Sequence, residues 1–179
     1  MKVENIRHPS GQIIPIIVDE FGLPLPGPNE WLIHRHHLSE NTLKRNAREL
    51  VVLHRWAKKL NIDVLQRIRS GQGFTEAEIS TSLATALRKD YTRGKVVKAA
   101  VSPSVQIQRI TTCADYLAYQ ADMAISTMRT VDPQITSIQG AKNRILGWLG
   151  DVLPTNGSSG PRKESRLTQA QGDFLVALC

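Results

Sequence analysis

The chain has 179 residues, enough for one good core or one domain plus a small appendage. Apolar residues make up 41% and charged residues 22%, which suits a globular protein and excludes a chain disordered throughout or a fibrous repeat. Lys and Arg number 23 against 16 Asp and Glu, a net charge of +7 and a pI near 9.7, so polyanionic partners come first, nucleic acid ahead of anionic membrane.

Cys113 and Cys179 are far apart and form no CxxC pair, so neither a disulfide framework nor a zinc site is expected, consistent with a reducing compartment. The opening MKVENIRHPSGQ lacks the apolar run of a signal peptide, and no segment is apolar enough to span a bilayer. The expected location is cytoplasmic, in association with the nucleoid.

In chain order, QIIPIIV (Gln12 to Val18) is short and β-branched and predicts a strand, confined to an edge by Pro15. DEFG (Asp19 to Gly22) is a turn signal, and LPLPGP after it reads as extended. Residues 1–28 are therefore expected to form a β arm, a small hairpin or an extended arm lying on the rest of the protein. Beyond Pro28 the chain turns helical, with Asn29 as the expected cap of a short helix carrying Trp31, Leu32 and Leu38.

SENTLKRNARELVVLHRWAKKL (Ser39 to Leu60) predicts a long helix capped by Ser39, with Glu40 suited to its first turn. Leu43, Ala47, Leu50, His54 and Ala57 form its core-facing stripe. Lys44, Arg48, Arg55 and Lys59 lie on a second line, with Arg45 beside them. Six Lys and Arg against Glu40 and Glu49 leave few i,i+4 pairs to neutralise this face. Ser39, Asn41 and Thr42 add small hydrogen-bonding groups at a positive helix end, an arrangement suited to phosphate.

TEAE (Thr75 to Glu78) predicts a capping box, with Ile79, Leu83 and Leu87 as the buried line of the helix it opens. Asp90 to Lys98 is polar and basic and reads as an exposed connection. A helix capped by Ser102, with Pro103 at its first position, follows. Its expected core face is Ile107, Ile110, Ala114, Leu117, Ala121 and Ile125. Gln108, Arg109, Thr112, Tyr116 and Tyr119 are expected on the other face. Ser104, Gln106, Gln108 and Arg109 fall in or near its opening turns, where Ser holds phosphates and Gln or Arg reads base edges. A last helix is expected from about Pro133 to Leu153, carrying Ile138, Ile145, Leu146, Trp148 and Leu149. Residues 29–153 are thus expected to form one helical DNA-binding domain. PTNGSSGPRKESR (154–166) reads as a linker, and LTQAQGDFLVALC (167–179) as the start of a second domain.

No GxSxG, SxxK, Cys–His, GxGxxG or Walker pattern is present, so no catalytic residue, cofactor or small-molecule ligand is expected. His34, His36 and His37 lack a completing Cys, Asp or Glu. They read as surface histidines near a polyanion rather than metal ligands.

LSENTLKRNARELVVLHRWAKKLNID and, further on, VSPSVQIQRITTCADYLAYQ resemble the core-binding (SAM-like) domain of tyrosine recombinases, the phage-integrase family. GQIIPIIVDEFGLPLPGPNEWL looks like the N-terminal lead-in of some bacterial integrases, and RLTQAQGDFLVAL like the first helix of their catalytic domain. The resemblance implies a mainly α fold, a four- to five-helix orthogonal bundle forming half of a C-shaped clamp on double-stranded DNA near the crossover site. Other recombinase protomers in a DNA-bound synapse are the implied further partners, and the helix around Trp31 is the implied contact to a neighbour. The family's tyrosine nucleophile and its arginines, histidine and lysine would lie beyond Arg166, so this stretch would not itself be an enzyme. A stand-alone helical DNA-binding regulator is the alternative reading.

Overall fold

The computed structural model describes residues 1–7, 11–92 and 95–154, and for 91, 92 and 95–99 the backbone alone. The expected linker beyond Pro154 and the helix expected from Leu167 lie outside the described residues.

Strand β1 (Lys2–Arg7) pairs antiparallel with β2 (Ile13–Val18), in register from Lys2 opposite Val18 to Arg7 opposite Ile13. A two-stranded ribbon has two open edges, so Pro15 is tolerated without a ladder hydrogen bond. Asp19 then closes a tight turn. Its Oδ1 accepts from the amides of Phe21 (2.8 Å) and Leu23 (2.9 Å), and Gly22 adopts a φ of 83°.

Helix α1 (Pro26–His34) begins earlier than the composition suggests, and the PGP stretch expected to be extended is its first turn. Pro26 and Pro28 fit there because the opening turn has no acceptors for their missing amides. Asn29 is therefore inside the helix rather than its cap. Its side chain is buried against the open edge of β2, accepting from Ile17 N at 2.7 Å and donating to Ile17 O at 2.9 Å. With Ile17 and Val18 nearly inaccessible, the ribbon is built into the core rather than lying on it.

Helix α2 (Glu40–Lys59) starts at Ser39, whose Oγ accepts from Thr42 N at 3.3 Å. Leu43, Ala47, Leu50 and Ala57 are buried as the periodicity predicts, and His54 is half-buried. A short α3 (Val64–Arg69) is capped by Asp63. The predicted capping box is formed in both directions. Thr75 N donates to Glu78 Oε2 at 2.7 Å, and Glu78 N donates to Thr75 Oγ1 at 3.2 Å. The helix it opens runs in π geometry over Ala77–Leu83 and passes directly into α4 (Ala84–Arg88), with Ala84 N bonding back to Ile79 O. Ile79, Leu83 and Leu87 are fully buried, and Ser82 in the wide turn accepts from the Trp56 indole at 2.9 Å.

The basic stretch read as an exposed connection is instead a second antiparallel ribbon, β3 (Lys89–Thr92) with β4 (Lys95–Ala100). Tyr91, Thr92, Val96 and Val97 are good strand formers flanking Arg93–Gly94, a combination that outweighs the surrounding charge.

Helix α5 (Pro103–Ser126) is the central element, packed against α1, α2, α3, α4 and α6 (Pro133–Asp151). A helix touched on so many sides has little polar face left. Thr112 and Tyr116, expected on the outer face, are buried, and Tyr119 is half-buried. Ile110, Leu117 and Ala121 are buried as expected, with Ile107, Ala114 and Ile125 half-buried. On α6, Ile138, Ile145 and Leu149 enter the core, and Leu146 and Trp148 lie at its margin. Gly73 allows the turn before α4 to meet α6, since a Cβ there would sit 2.9 Å from that of Ala141. The fold is mainly α, with an N-terminal hairpin completing its core.

Candidate nucleic-acid interface

The basic line of α2 divides into two halves. In the C-terminal half, Arg55 Nη2 donates to Met1 O at 2.7 Å, and Lys58 pairs with Glu20 of the turn after β2. The hairpin region thus occupies the middle of the line, and Arg55 is engaged rather than open. Lys59, beyond it, is exposed.

The N-terminal half is open. Ser39 Oγ caps Thr42 N and lies 2.8 Å from Thr42 Oγ1, so the serine holds the turn in shape. The amides of Glu40 and Asn41 have no intrahelical acceptor and face outward, as in any first turn. Asn41, Arg45 and Arg48 are exposed. Lys44 pairs with Glu40, Arg45 Nε stands 3.9 Å from Glu49 Oε1, and Arg48 has no ion pair among the described residues.

The opening of α5 is built the same way. Ser102 Oγ accepts from Val105 N at 3.4 Å and lies 3.1 Å from Ser104 Oγ. Ser104 and Gln108 are exposed. Gln106 and Arg109 differ from expectation. Gln106 is buried, its Oε1 accepting from Arg88 Nε at 3.4 Å. Arg109 Nη1 donates to Leu87 O (2.9 Å) and Lys89 O (2.6 Å), bracing the base of the β3–β4 ribbon. A ribbon root offers carbonyls that lack strand partners, and a guanidinium about two turns into α5 satisfies two of them. Arg88 and Lys89, exposed at that root, are cations that the connection reading passed over.

The two helices are joined by a polar cluster. Thr112 Oγ1 donates to Glu49 Oε2 at 2.6 Å, with Asn46 Oδ1 at 3.4 Å. Burial pushes the Glu49 carboxyl up, opposed by the Thr112 hydrogen bond and the charges of Arg45 and Arg109. Further along both helices, the rings of His54 and Tyr116 meet at 5.6 Å. Contacts therefore advance in the same order along α2 and α5. The two helices are thus fastened to each other between Asn46 and His54 on α2 and between Thr112 and Tyr116 on α5. Each serine-capped first turn is chemically able to hold phosphate oxygens, and that of α2 has Lys44, Arg45 and Arg48 beside it.

The histidine group has local partners: His34 stacks near Tyr119 at 5.1 Å between centroids, and His36 Nδ1 lies 3.0 Å from Ile33 O. Among the described residues no group of three or more His, Cys, Asp or Glu could hold a metal ion, and no helix is long and apolar enough to cross a membrane. Cys113 is buried, which pushes its thiol pKa up. A cleft of about 570 Å³ lies between residues 25–28, the end of α2 and α3, with His54 in its wall.

Fold and surface together describe a mainly helical protein with exposed cations along the start of α2. Compared with known protein families, curated proteins and solved structures, the chain matches none.

Proposed function

We propose that this chain binds double-stranded DNA through the N-terminal turns of α2 and α5, as the core-binding part of a site-specific recombinase of the tyrosine type. The observation that carries the binding reading is the serine-capped first turn of α2 with Arg45 and Arg48 exposed beside it, and a second turn built the same way on α5. Ser39, Asn41, Thr42, Lys44, Arg45 and Arg48 supply the α2 contacts, and Ser102, Ser104 and Gln108 those of α5. The recombinase assignment rests on the sequence resemblance. In that role the helices are an orthogonal bundle forming one half of a clamp near the crossover site, with other protomers joining on the DNA. Cleavage and rejoining then belong to a following domain that supplies the tyrosine.

An amide NMR titration with a short mixed-sequence duplex tests the binding reading. Shifts are expected to concentrate on Ser39–Arg48 and Ser102–Gln108. Shifts confined to α6 or the end of α2, with those turns unmoved, would place binding elsewhere. The recombinase assignment has its own assay. The gene's product, carried through its downstream sequence, should form a covalent tyrosine–DNA adduct on its own site, and absence of any adduct would refute it.

A further inference from the structure

We infer that the β3–β4 ribbon is a second DNA-contacting element, gripping phosphates beside the α2–α5 face; the inference rests on the DNA-binding reading above. The stretch Arg88 to Ala100 carries five cations, Arg88, Lys89, Arg93, Lys95 and Lys98, against the single acid Asp90. The fold fixes the root of that stretch, where Arg88 and Lys89 stand. Val101 N donates to Arg88 O at 2.9 Å, closing the root of the ribbon one residue before the Ser102 cap. Arg109 braces the same root through Leu87 O and Lys89 O, and Arg88 reaches across to Gln106. The ribbon therefore springs from the first turns of α5, next to the surface already assigned to phosphate, and Arg88 and Lys89 are exposed where it leaves the helices.

Arg109 illustrates the division of labour. Its charge is spent on backbone carbonyls, so it positions the ribbon and leaves the phosphate contacts to other cations. Antiparallel two-stranded ribbons are one of the two elements that fit a DNA groove, and here one adjoins the other, a helix.

The test compares the salt dependence of duplex affinity for the wild type, a ribbon variant (Lys89→Gln, Lys95→Gln, Lys98→Gln) and a helix-face variant (Asn41→Glu, Arg48→Glu). Each lost phosphate contact should flatten the log–log slope by about 0.9. The ribbon variant is expected to flatten it by roughly two to three such steps, Lys89→Gln alone by one, and Lys→Arg at the same three positions to keep the wild-type slope. Circular dichroism at matched temperature checks that each variant is folded. A ribbon variant with the wild-type slope, alongside a weakened helix-face variant, overturns this inference and leaves the DNA reading standing. Wild-type behaviour in both variants overturns the DNA reading itself.

Discussion

The double variant Asn41→Glu, Arg48→Glu is expected to lose roughly 100-fold or more in duplex affinity near 0.1 M salt, since each charge–phosphate interaction contributes about one decade there. The change removes one cation and places two anions on the proposed face. Both positions are exposed, and Arg48 has no ion pair among the described residues, so no internal contact is lost. At position 41 a glutamate in the first turn of α2 complements the helix dipole, worth about 0.3–1 kcal/mol in favour of folding. The thermal midpoint should stay within a few degrees of wild type, consistent with surface changes of about ±0.5 kcal/mol. Affinity measured by fluorescence anisotropy beside a melting curve separates the two effects. An unchanged affinity with a normal melt would remove the α2 turn from the interface.

The second large effect is on stability under acid. Nε2 of His54 is sealed from solvent with no hydrogen-bond partner, and burial pushes its pKa down to about 4, with Asp63 acting weakly in the other direction. An unfolded histidine titrates near 6.5. Below that value the unfolded chain takes up a proton that the folded chain refuses, so stability falls as pH drops. It should lose about 3 kcal/mol between about pH 6.5 and pH 4. Glu49 acts with the opposite sign, because its raised pKa lets the folded state keep a proton as the solution becomes acidic. Comparing wild type with His54→Leu cancels that contribution. Urea denaturation at pH 7 and pH 4.5 should show the wild type losing about 2–3 kcal/mol more than the variant. Parallel losses would mean that His54 reaches solvent in the folded protein.

Much of the helical core was legible in the sequence, and the reasons are local. Ser39, Thr75 with Glu78, and Ser102 are caps whose chemistry acts within three residues, and the chain uses each as expected. The stripes Leu43–Ala47–Leu50 and Ile79–Leu83–Leu87 are likewise properties of one helix and are buried as their spacing implies. The structure departs from the local reading where a distant partner decides the outcome. Asn29 has the chemistry of a cap, but the open edge of β2 offers its amide a donor and an acceptor together. Thr112 and Tyr116 are polar at helical spacing, yet α5 lies at the centre of the packing and buries both.

The candidate site divides in the same way. Exposed cations at the start of α2 follow from the line drawn through Lys44 and Arg48. The fates of Arg55, Gln106 and Arg109 were set by groups far along the chain: Met1 O for the first, Arg88 for the second, Leu87 O and Lys89 O for the third. An arginine's charge says that it will seek an anion or carbonyls, and only the fold says which. The β3–β4 ribbon differs from the expected connection for another reason. Its charge suggested solvent, while the strand formers on either side of Arg93–Gly94 already favoured a hairpin.

The central claim, that this basic chain binds duplex DNA by its phosphates, is tested most directly by the affinity of the wild type for a duplex between 50 and 200 mM salt, a range over which phosphate contacts have a large and known effect. A linear log–log fall with a slope of about −3 or steeper is expected from Arg45, Arg48 and the two open helix turns with their neighbouring cations. Binding whose strength does not change across that range, or no binding even at the lowest salt, would contradict the account.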